Sequence, residues 1–258
     1  MTTAGQIESF LFDWAPRALA AEWDNVGLLV GDPAQEVHKL LVALDITESV
    51  IDEAAALGAE LIVAHHPVMN CAWHPVQTLR ADDPLGRKLR ALVRADISAI
   101  CMHTNLDAAA GGVNDALAEA LGLSDVSPLG ADGIGRVGTI NGEKSLAEYV
   151  PFVVKSLGSH GARYRSGDKP VHRVAVGGGA CGSYIAAALE KGCDTFVTAD
   201  LKYNDFLDTE GLNLIDAGHF PTENVICPVL AERLRAAFPG LSVVISASHV
   251  EAMEYTLQ

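Results

Sequence analysis

The sequence lacks the long apolar runs and the targeting signals of membrane and secreted proteins. No run of apolar residues reaches the roughly 18 that a membrane-spanning helix requires. The first residues, MTTAGQIESFLFDWAP, contain no basic stretch and include Glu8 and Asp13, unlike a secretory signal. We therefore expect a cytoplasmic protein.

Cysteine and basic residues are also scarce. The five cysteines are odd in number, scattered, and form no C-x-x-C pair, which is typical of a reducing compartment and argues against a zinc–thiolate site. With 18 Lys and Arg against 33 Asp and Glu, the net charge is −15. Because nonspecific affinity for nucleic acids and anionic membranes comes from basic side chains, neither is an expected partner. An anionic substrate would need a local positive feature, which a bound metal ion could supply.

The chain does have the composition and patterning of a globular α/β protein. Its 258 residues are 49% apolar and 20% charged, enough for one large domain or two small ones. Residues 39–46, KLLVALDI, are predicted as a strand, and ELIVAHHP as the next one. The segment between them predicts a helix that is capped by Thr47 and ended by Gly58. This succession is typical of a largely parallel sheet under helices.

Further elements continue this pattern on both sides of residues 124–140, a Gly-, Asp- and Ser-rich segment that we interpret as a boundary. Helices are predicted at 84–94, 113–123, 145–158, 184–192 and from Pro221, and strands at 96–103, 171–176, 193–200, 212–218 and 241–247.

The two halves share a weak internal repeat. LLVALDI…AAALGAELIVAHHP aligns with HRVAVGG…AALEKGCDTFVTADLK, and counting from Gly58 and Gly192 places His65–His66 opposite Ala199 and Asp200. The fold class that follows is α/β, with two similar lobes on largely parallel or mixed sheets. Chance similarity is the alternative, because most βαβ units resemble one another at this level.

Three of the predicted strands end in residues of the types that bind metal ions. Ligands in parallel sheets bind beyond the carboxyl ends of the strands, so we expect these side chains to converge on one edge of the sheet. Imidazole and carboxylate groups without thiolate suit Zn, Mn, Fe, Co or Ni. The candidate residues are His65, His66, His103, Asp107, His219 and Glu223.

Each of these residues also has a purely structural interpretation. A single His at a strand end is usually a hydrogen-bonded structural group, and Asp107 suits the cap of a turn. Glu223, just after Pro221, suits the start of a helix. Taken singly these interpretations are preferable, but their joint occurrence at strand ends favours a metal site.

The adjacent histidines suggest how many ions are bound. Successive side chains on an extended chain point in opposite directions, and Pro67 favours an extended His66. Two such imidazoles reach two ions more easily than they chelate one, so we predict a dinuclear centre. Glu223 is the predicted bridge, because it has the longer carboxylate arm and lies four residues from His219.

The segment GGGACG, Gly177–Gly182, supports a rival hypothesis. It matches G-x-G-x-x-G between a predicted strand and helix, with Asp200 further on, as a dinucleotide fingerprint requires. Only 58 residues follow Asp200 to supply the remaining strands. The structural alternative is a tight turn that packs a helix on its sheet.

Taken together, these motifs resemble those of the dinuclear-metal-centre hexameric proteins, the Nif-like interacting-factor group also described as GTP cyclohydrolase I type 2 homologues. The matching segments are WDNVGLLVGDP (23–33), VALDIT (42–47), LIVAHHPV (61–68), HTNLDAAAGGVNDALAEALGL (103–123), VAVGGGACGSYI (174–185), DTFVTADLKY (194–203) and LIDAGHFPTE (214–223).

The resemblance implies a lobe at residues 126–218 inserted into a metal-binding lobe of residues 1–125 and 219–258. It implies a homohexamer and a small, nucleotide-like anionic substrate, since some members are reported to open the imidazole ring of GTP. The metal ligands it implies, for two divalent ions per chain, are His65, His66, Asp107, His219 and Glu223.

The expected function is a metal-dependent hydrolase, with His103 as a proton shuttle or as an orienter of a ligand. One departure from the family pattern bears on this: Asn204 stands where the family usually has His. The alternative is a metal-binding scaffold or metallochaperone that catalyses nothing.

Overall fold

The computed structural model of the chain describes residues 1–72 and 75–256. The loop predicted through Pro75 therefore falls partly outside the described residues, as does the end of the predicted metal-binding lobe. The contacts divide the chain into two compact units. Unit 1 comprises residues 1–109 and 227–250, and unit 2 comprises residues 110–226 and 251–258.

The described part of unit 1 contains a five-stranded sheet in the order β1-β4-β3-β2-β11. Strands β4, β3, β2 and β11 are parallel, and β1 pairs antiparallel with β4 at the edge. The three central strands are rich in β-branched and apolar residues and are almost wholly buried, as expected for a parallel sheet covered on both faces. The strands are β1 Gly27–Val30, β2 Lys39–Ala43, β3 Leu61–Ala64, β4 Ser98–Cys101 and β11 Ser242–Ile245.

The helices of unit 1 begin and end at recognisable signals. The side chain of Thr47 accepts a hydrogen bond from the backbone N–H of Val50, and Gly58 ends the same helix in the left-handed conformation. Both predicted signals of this helix are confirmed. The helices are α1 Ala4–Trp14, α2 Glu48–Leu57, α3 Pro84–Ala95, α4 Thr104–Ala108 and α10 Ile226–Ala237. The first residue of α10, Ile226, belongs to unit 2, and the rest of this helix belongs to unit 1.

The described part of unit 2 contains a six-stranded mixed sheet in the order β5-β6-β8-β9-β10-β7. The strands β8, β9 and β10 are parallel neighbours, and the remaining pairs are antiparallel. The predicted α/β class with two sheets is confirmed. The strands are β5 Ser124–Pro128, β6 Arg136–Lys144, β7 Arg163–Arg165, β8 Val171–Val176, β9 Thr195–Thr198 and β10 Asn213–Asp216.

The helices of unit 2 explain where the units divide. Residues 110–125, 219–226 and 251–258 belong to unit 2, whereas the family resemblance implied that they belong to the other lobe. The reason is packing: α5, at Val113–Ala120, contacts β6 and β8, and α9, at His219–Glu223, contacts α5. The interpretation of residues 124–140 as a boundary was wrong, because they contribute β5 and the start of β6. The helices are α5 Val113–Ala120, α6 Leu146–Leu157, α7 Ile185–Glu190, α8 Tyr203–Asp208 and α9 His219–Glu223.

Among the described residues, no helix combines the length and the apolar character needed to span a membrane.

Candidate metal centre

Four of the candidate residues follow two neighbouring parallel strands of unit 1. His65 and His66 come directly after β3, and His103 lies two residues beyond β4. Asp107 follows on the short helix α4. Because β3 and β4 are parallel and adjacent, their carboxyl ends share one edge of the sheet, as the sequence predicted for these four residues.

The adjacent histidines do not alternate as an extended chain would. The strand β3 ends at Ala64, and the backbone N–H groups of His65 and His66 both donate to the carbonyl oxygen of Leu44, at 3.1 and 2.9 Å. Their ring centroids are 4.9 Å apart. One ring nitrogen each of His65, His66 and His103 lies within 4.8 Å of the others. The alternation argument for two ions was therefore wrong, and the number of ions stays a prediction.

His65 is fully buried and fixed by the backbone. Its Nδ1 lies 2.8 Å from the carbonyl oxygen of Met102, so this nitrogen carries the proton in the neutral ring. Its Nε2 lies 3.6 Å from Oδ1 of Asp107, which is also buried. The pair thus combines an imidazole lone pair with a neighbouring carboxylate oxygen.

His103 is held by a carboxylate that the sequence analysis did not single out. Its Nδ1 lies 2.9 Å from Oδ1 of Asp24, whose other oxygen accepts hydrogen bonds from the backbone N–H and the hydroxyl of Thr104. Burial acts to raise the pKa of Asp24, but the hydrogen bonds with His103 and Thr104 outweigh it and lower the pKa to about 2. Asp24 is therefore a carboxylate at neutral pH and accepts the Nδ1–H of His103.

His66 has the same arrangement with another carboxylate. Its Nδ1 lies 2.8 Å from Oδ1 of Asp45, which follows β2. Burial acts to raise the pKa of Asp45, and the hydrogen bonds from His249 and His66 more than offset this, so the pKa lies well below its usual range. Asp45 is thus charged and orients the half-buried His66.

In unit 2, His219 lies between two carboxylates. Its Nδ1 is 2.6 Å from Oδ2 of Asp200, and its Nε2 is 3.0 Å from Oε2 of Glu223, one turn along α9. Burial acts to lower the pKa of His219, but the hydrogen bonds with Asp200 and Glu223 raise it to about 11. The Nε2 position therefore attracts positive charge, which suits an imidazole and a carboxylate that share a cation.

The candidate residues do not all follow strands of one sheet. His219 and Glu223 follow β10, which belongs to the unit 2 sheet, whereas β3 and β4 belong to the unit 1 sheet. The strands that precede the candidate residues therefore belong to two sheets and not to the single sheet that we expected. The sequence could not distinguish the sheets, because strand ends look alike in either.

All four candidate histidines share one hydrogen-bonding pattern. Each has its Nδ1 near an oxygen, which makes Nε2 the nitrogen with the lone pair in the neutral ring; the oxygens belong to Met102, Asp45, Asp24 and Asp200. Metal-binding histidines typically donate their second N–H to a carboxylate or a carbonyl. In unit 1 the histidines lie with the carboxylate of Asp107, and in unit 2 His219 lies with that of Glu223; the imidazole and carboxylate donors of each unit are types that bind divalent transition-metal ions.

The glycine-rich turn of unit 2 supports Glu223. A Cβ atom at Gly179 would lie 2.1 Å from Oε1 of Glu223 and 3.1 Å from Nε2 of His219, and the backbone has φ +64°. The turn follows β8 and precedes α7, as predicted, but four of its backbone N–H groups are used internally. Those of Gly177, Gly178, Gly179 and Cys181 donate to Val197, Asn114, Thr222 and Thr198. They are not presented to a phosphate, so the fingerprint hypothesis loses its main support.

Asp24, Asp45 and Asp200 were not predicted to orient the histidines, although a signal was present. Asp24, Asp45 and Asp200 lie in segments that carried the family resemblance, and the last two also follow strands. Acids at strand ends near a candidate histidine should have been treated as its hydrogen-bond partners.

Comparison with known proteins places these features in a family. The pattern of the Duf34/NIF3 (NGG1p interacting factor 3) family matches residues 2–252. The chain belongs to this family. This Duf34/NIF3 member is 37% identical over 239 residues to the GTP cyclohydrolase 1 type 2 homolog of Clostridium perfringens, covering 89% of this chain and 90% of that protein. The Lactococcus lactis protein of the same name is 35% identical over 249 residues, which cover 92% of this chain and 95% of that protein.

Solved structures agree with this assignment. A Bacillus cereus protein related to NIF3 superposes with a TM-score of 0.92 at 25% identity, over 99% of this chain and 100% of the other. HcgD from Methanocaldococcus jannaschii superposes with a TM-score of 0.81 at 32% identity, over 95% of this chain and 97% of the other. The resemblance inferred from the sequence motifs is confirmed.

Proposed function

We propose that this Duf34/NIF3 protein binds two divalent metal ions per chain. The observation that carries the proposal is the shared pattern at the four histidines, whose Nδ1 atoms all lie against oxygens, so that Nε2 carries the lone pair in each neutral ring. The proposed ligands are His65, His66, Asp107, His219 and Glu223.

The bound ions would lower the pKa of water and polarise a carbon or phosphorus centre. The chain's own contribution to proton transfer is His103. Asp24 accepts its Nδ1–H and holds the ring, so a proton is gained or lost at Nε2. This nitrogen lies in a buried side chain just beyond β4 and is positioned as a general acid or base. Such a group typically raises the reaction rate on the order of a hundredfold or more.

We propose further that the reaction is hydrolysis of a small, nucleotide-like anion. The support for this is the name of the relatives, GTP cyclohydrolase 1 type 2 homolog. The local charge favours an anionic substrate less than the sequence indicated. The orienting carboxylates of Asp24, Asp45 and Asp200 add negative charge behind the ligands and offset much of the charge of two ions.

The first prediction is metal-dependent turnover of GTP. Purified protein supplied in turn with Zn²⁺, Mn²⁺ and Fe²⁺ should consume GTP, with one water opening the imidazole ring to a formamide and a second water releasing formate from it. Asp107→Ala should not consume GTP. Circular dichroism of both proteins in chelator provides the folding control. Equal inactivity of wild type and Asp107→Ala with every metal would show that GTP is not the substrate.

One observation favours the non-catalytic alternative, a metal-binding scaffold. Asn204, where the family usually has His, lies exposed near the start of α8. An amide can donate and accept hydrogen bonds but carries no exchangeable charge at neutral pH. If Asn204→His gains GTP turnover that the wild type lacks, this member keeps the metal centre and has lost the reaction.

A further inference from the structure

Three adjacent parallel strands of unit 1 each deliver one polar side chain to the same edge of the sheet. The strand order is β11, β2, β3. His249 comes four residues after β11, Asp45 two residues after β2, and His66 two residues after β3. The three side chains are therefore arranged in the order of their strands, with the aspartate between the two histidines.

The contacts follow this order. Oδ1 of Asp45 lies 2.8 Å from Nδ1 of His66, and Oδ2 lies 3.3 Å from Nε2 of His249. The Nδ1 of His249 also lies 3.4 Å from the backbone nitrogen of Leu44, which is a donor. Only 5% of the His249 side chain is exposed, against 44% of Asp45. The buried ring thus gives the partly exposed carboxylate of Asp45 a second fixed contact, in addition to the one with His66.

The segment that carries His249 is itself fixed to α2. Glu53 accepts hydrogen bonds from the hydroxyl of Ser246 at 2.5 Å and from the backbone N–H groups of Ala247 and Ser248, each at 2.9 Å. The backbone of Ser246 also donates to the carbonyl oxygen of Val42 on β2. One carboxylate therefore fixes three consecutive residues, and this determines where His249 can lie.

We infer that His249 is a positioning residue for the metal ligand His66. It holds one oxygen of Asp45 so that the other meets Nδ1 of His66, and this keeps Nε2 of His66 as the ligand nitrogen. The inference rests on the proposed metal binding and extends it to a residue that does not itself bind the ion. Outer hydrogen-bond partners of metal-binding histidines typically change metal affinity by about 10–100-fold.

The test compares three variants of the full chain. His249→Phe keeps a ring but removes the N–H, while His249→Gln keeps a donor that can reach Asp45. His38→Phe, at an exposed histidine of the same unit, is the matched control. Binding of Zn²⁺ is measured by calorimetry, the absorption spectrum is recorded with Co²⁺, and thermal unfolding is followed in chelator.

We expect His249→Phe to bind at least one ion about tenfold more weakly and to show an altered Co²⁺ spectrum. His249→Gln should recover most of the affinity, and His38→Phe should match the wild type. If His249→Phe unfolds earlier but keeps wild-type affinity and spectrum, its role is only structural and the inference is wrong. If the wild type itself binds no Zn²⁺, the proposed function fails first, so the two failures are distinguishable.

Discussion

At the scale of single residues, the sequence predicted candidate donor residues but not the carboxylates that orient them. The histidines and acids stand next to recognisable strand ends, so local patterning finds them. Their partners are distant in sequence: Asp24 precedes His103 by 79 residues, and Asp45 precedes His66 by 21. Which aspartate meets which histidine depends on strand order, and strand order is a property of the folded sheet.

Gly179 provides a prediction at this scale. Its left-handed backbone, at φ +64°, and its closeness to Glu223 leave no room for a side chain. Gly179→Ala should lower the free energy of unfolding by about 1 kcal/mol through backbone strain, and should also displace the Glu223 carboxylate. We expect weaker Zn²⁺ binding in equilibrium dialysis for this reason.

The matched control is Gly192→Ala. Gly192 has φ +68°, and an added Cβ would have no heavy atom within 4 Å. Gly192→Ala should therefore lower the free energy of unfolding about as much as Gly179→Ala does, but should leave the Zn²⁺ affinity unchanged. If both variants bind Zn²⁺ like the wild type, the glycine turn does not position Glu223.

At the scale of helices and strands, prediction succeeded where a signal is local. Thr47 and Gly58 delimit α2 because a capping hydroxyl and a left-handed glycine act within a few residues. The strand β5 was missed because every residue of Ser124–Pro128 is exposed, which leaves no apolar alternation to detect. A signal for α1 was present but unused: Thr3 and Gln6 form a capping box.

Glu53 on α2 provides a pH-dependent prediction. Burial acts to raise its pKa, but hydrogen bonds from Ser246, Ala247 and Ser248 outweigh this and lower the pKa below the ordinary 4.5. A lowered pKa means that the charged group stabilises the folded state above the unfolded pKa, and that this stability is lost as pH falls through the folded pKa.

Glu53→Gln should therefore lower the free energy of unfolding by about 1 kcal/mol at pH 7, a typical value for lost hydrogen bonds to a partly exposed carboxylate. The difference between wild type and variant should shrink as the pH falls below about 4.5, where Glu53 is itself protonated in the unfolded chain. Urea unfolding of both proteins in chelator at several pH values measures this difference in the free energy of unfolding. A difference that does not change with pH would show that the charge of Glu53 is not what fixes the segment.

At the scale of the whole molecule, the sequence predicted two α/β sheets but not which sheet each candidate residue follows. The weak repeat correctly pointed to two parallel βαβ pairs, β2–β3 and β8–β9. His219 and Glu223 were assigned to the metal-binding lobe, yet α9 belongs to unit 2. Unit membership depends on packing between distant segments, here of α9 on α5, and local patterning carries no information on it.

Assembly is a separate prediction at this scale. The family resemblance led us to expect a homohexamer, and we propose that state for the chain in solution. Sedimentation equilibrium at micromolar concentration should give a mass close to six times the 27.1 kDa of one chain. A stable monomer under these conditions would contradict the proposed hexamer while leaving the metal ligands unaffected.

The most direct test of the central claim is the number of metal ions per chain. Protein stripped with chelator, reloaded with excess Zn²⁺ and freed of unbound metal should contain two Zn²⁺ per chain by elemental analysis. The Glu223→Gln variant, treated identically, should contain fewer Zn²⁺ ions per chain than the wild type. Saturation of the wild type at two ions is the result that our account predicts, and saturation at one ion or none would contradict it.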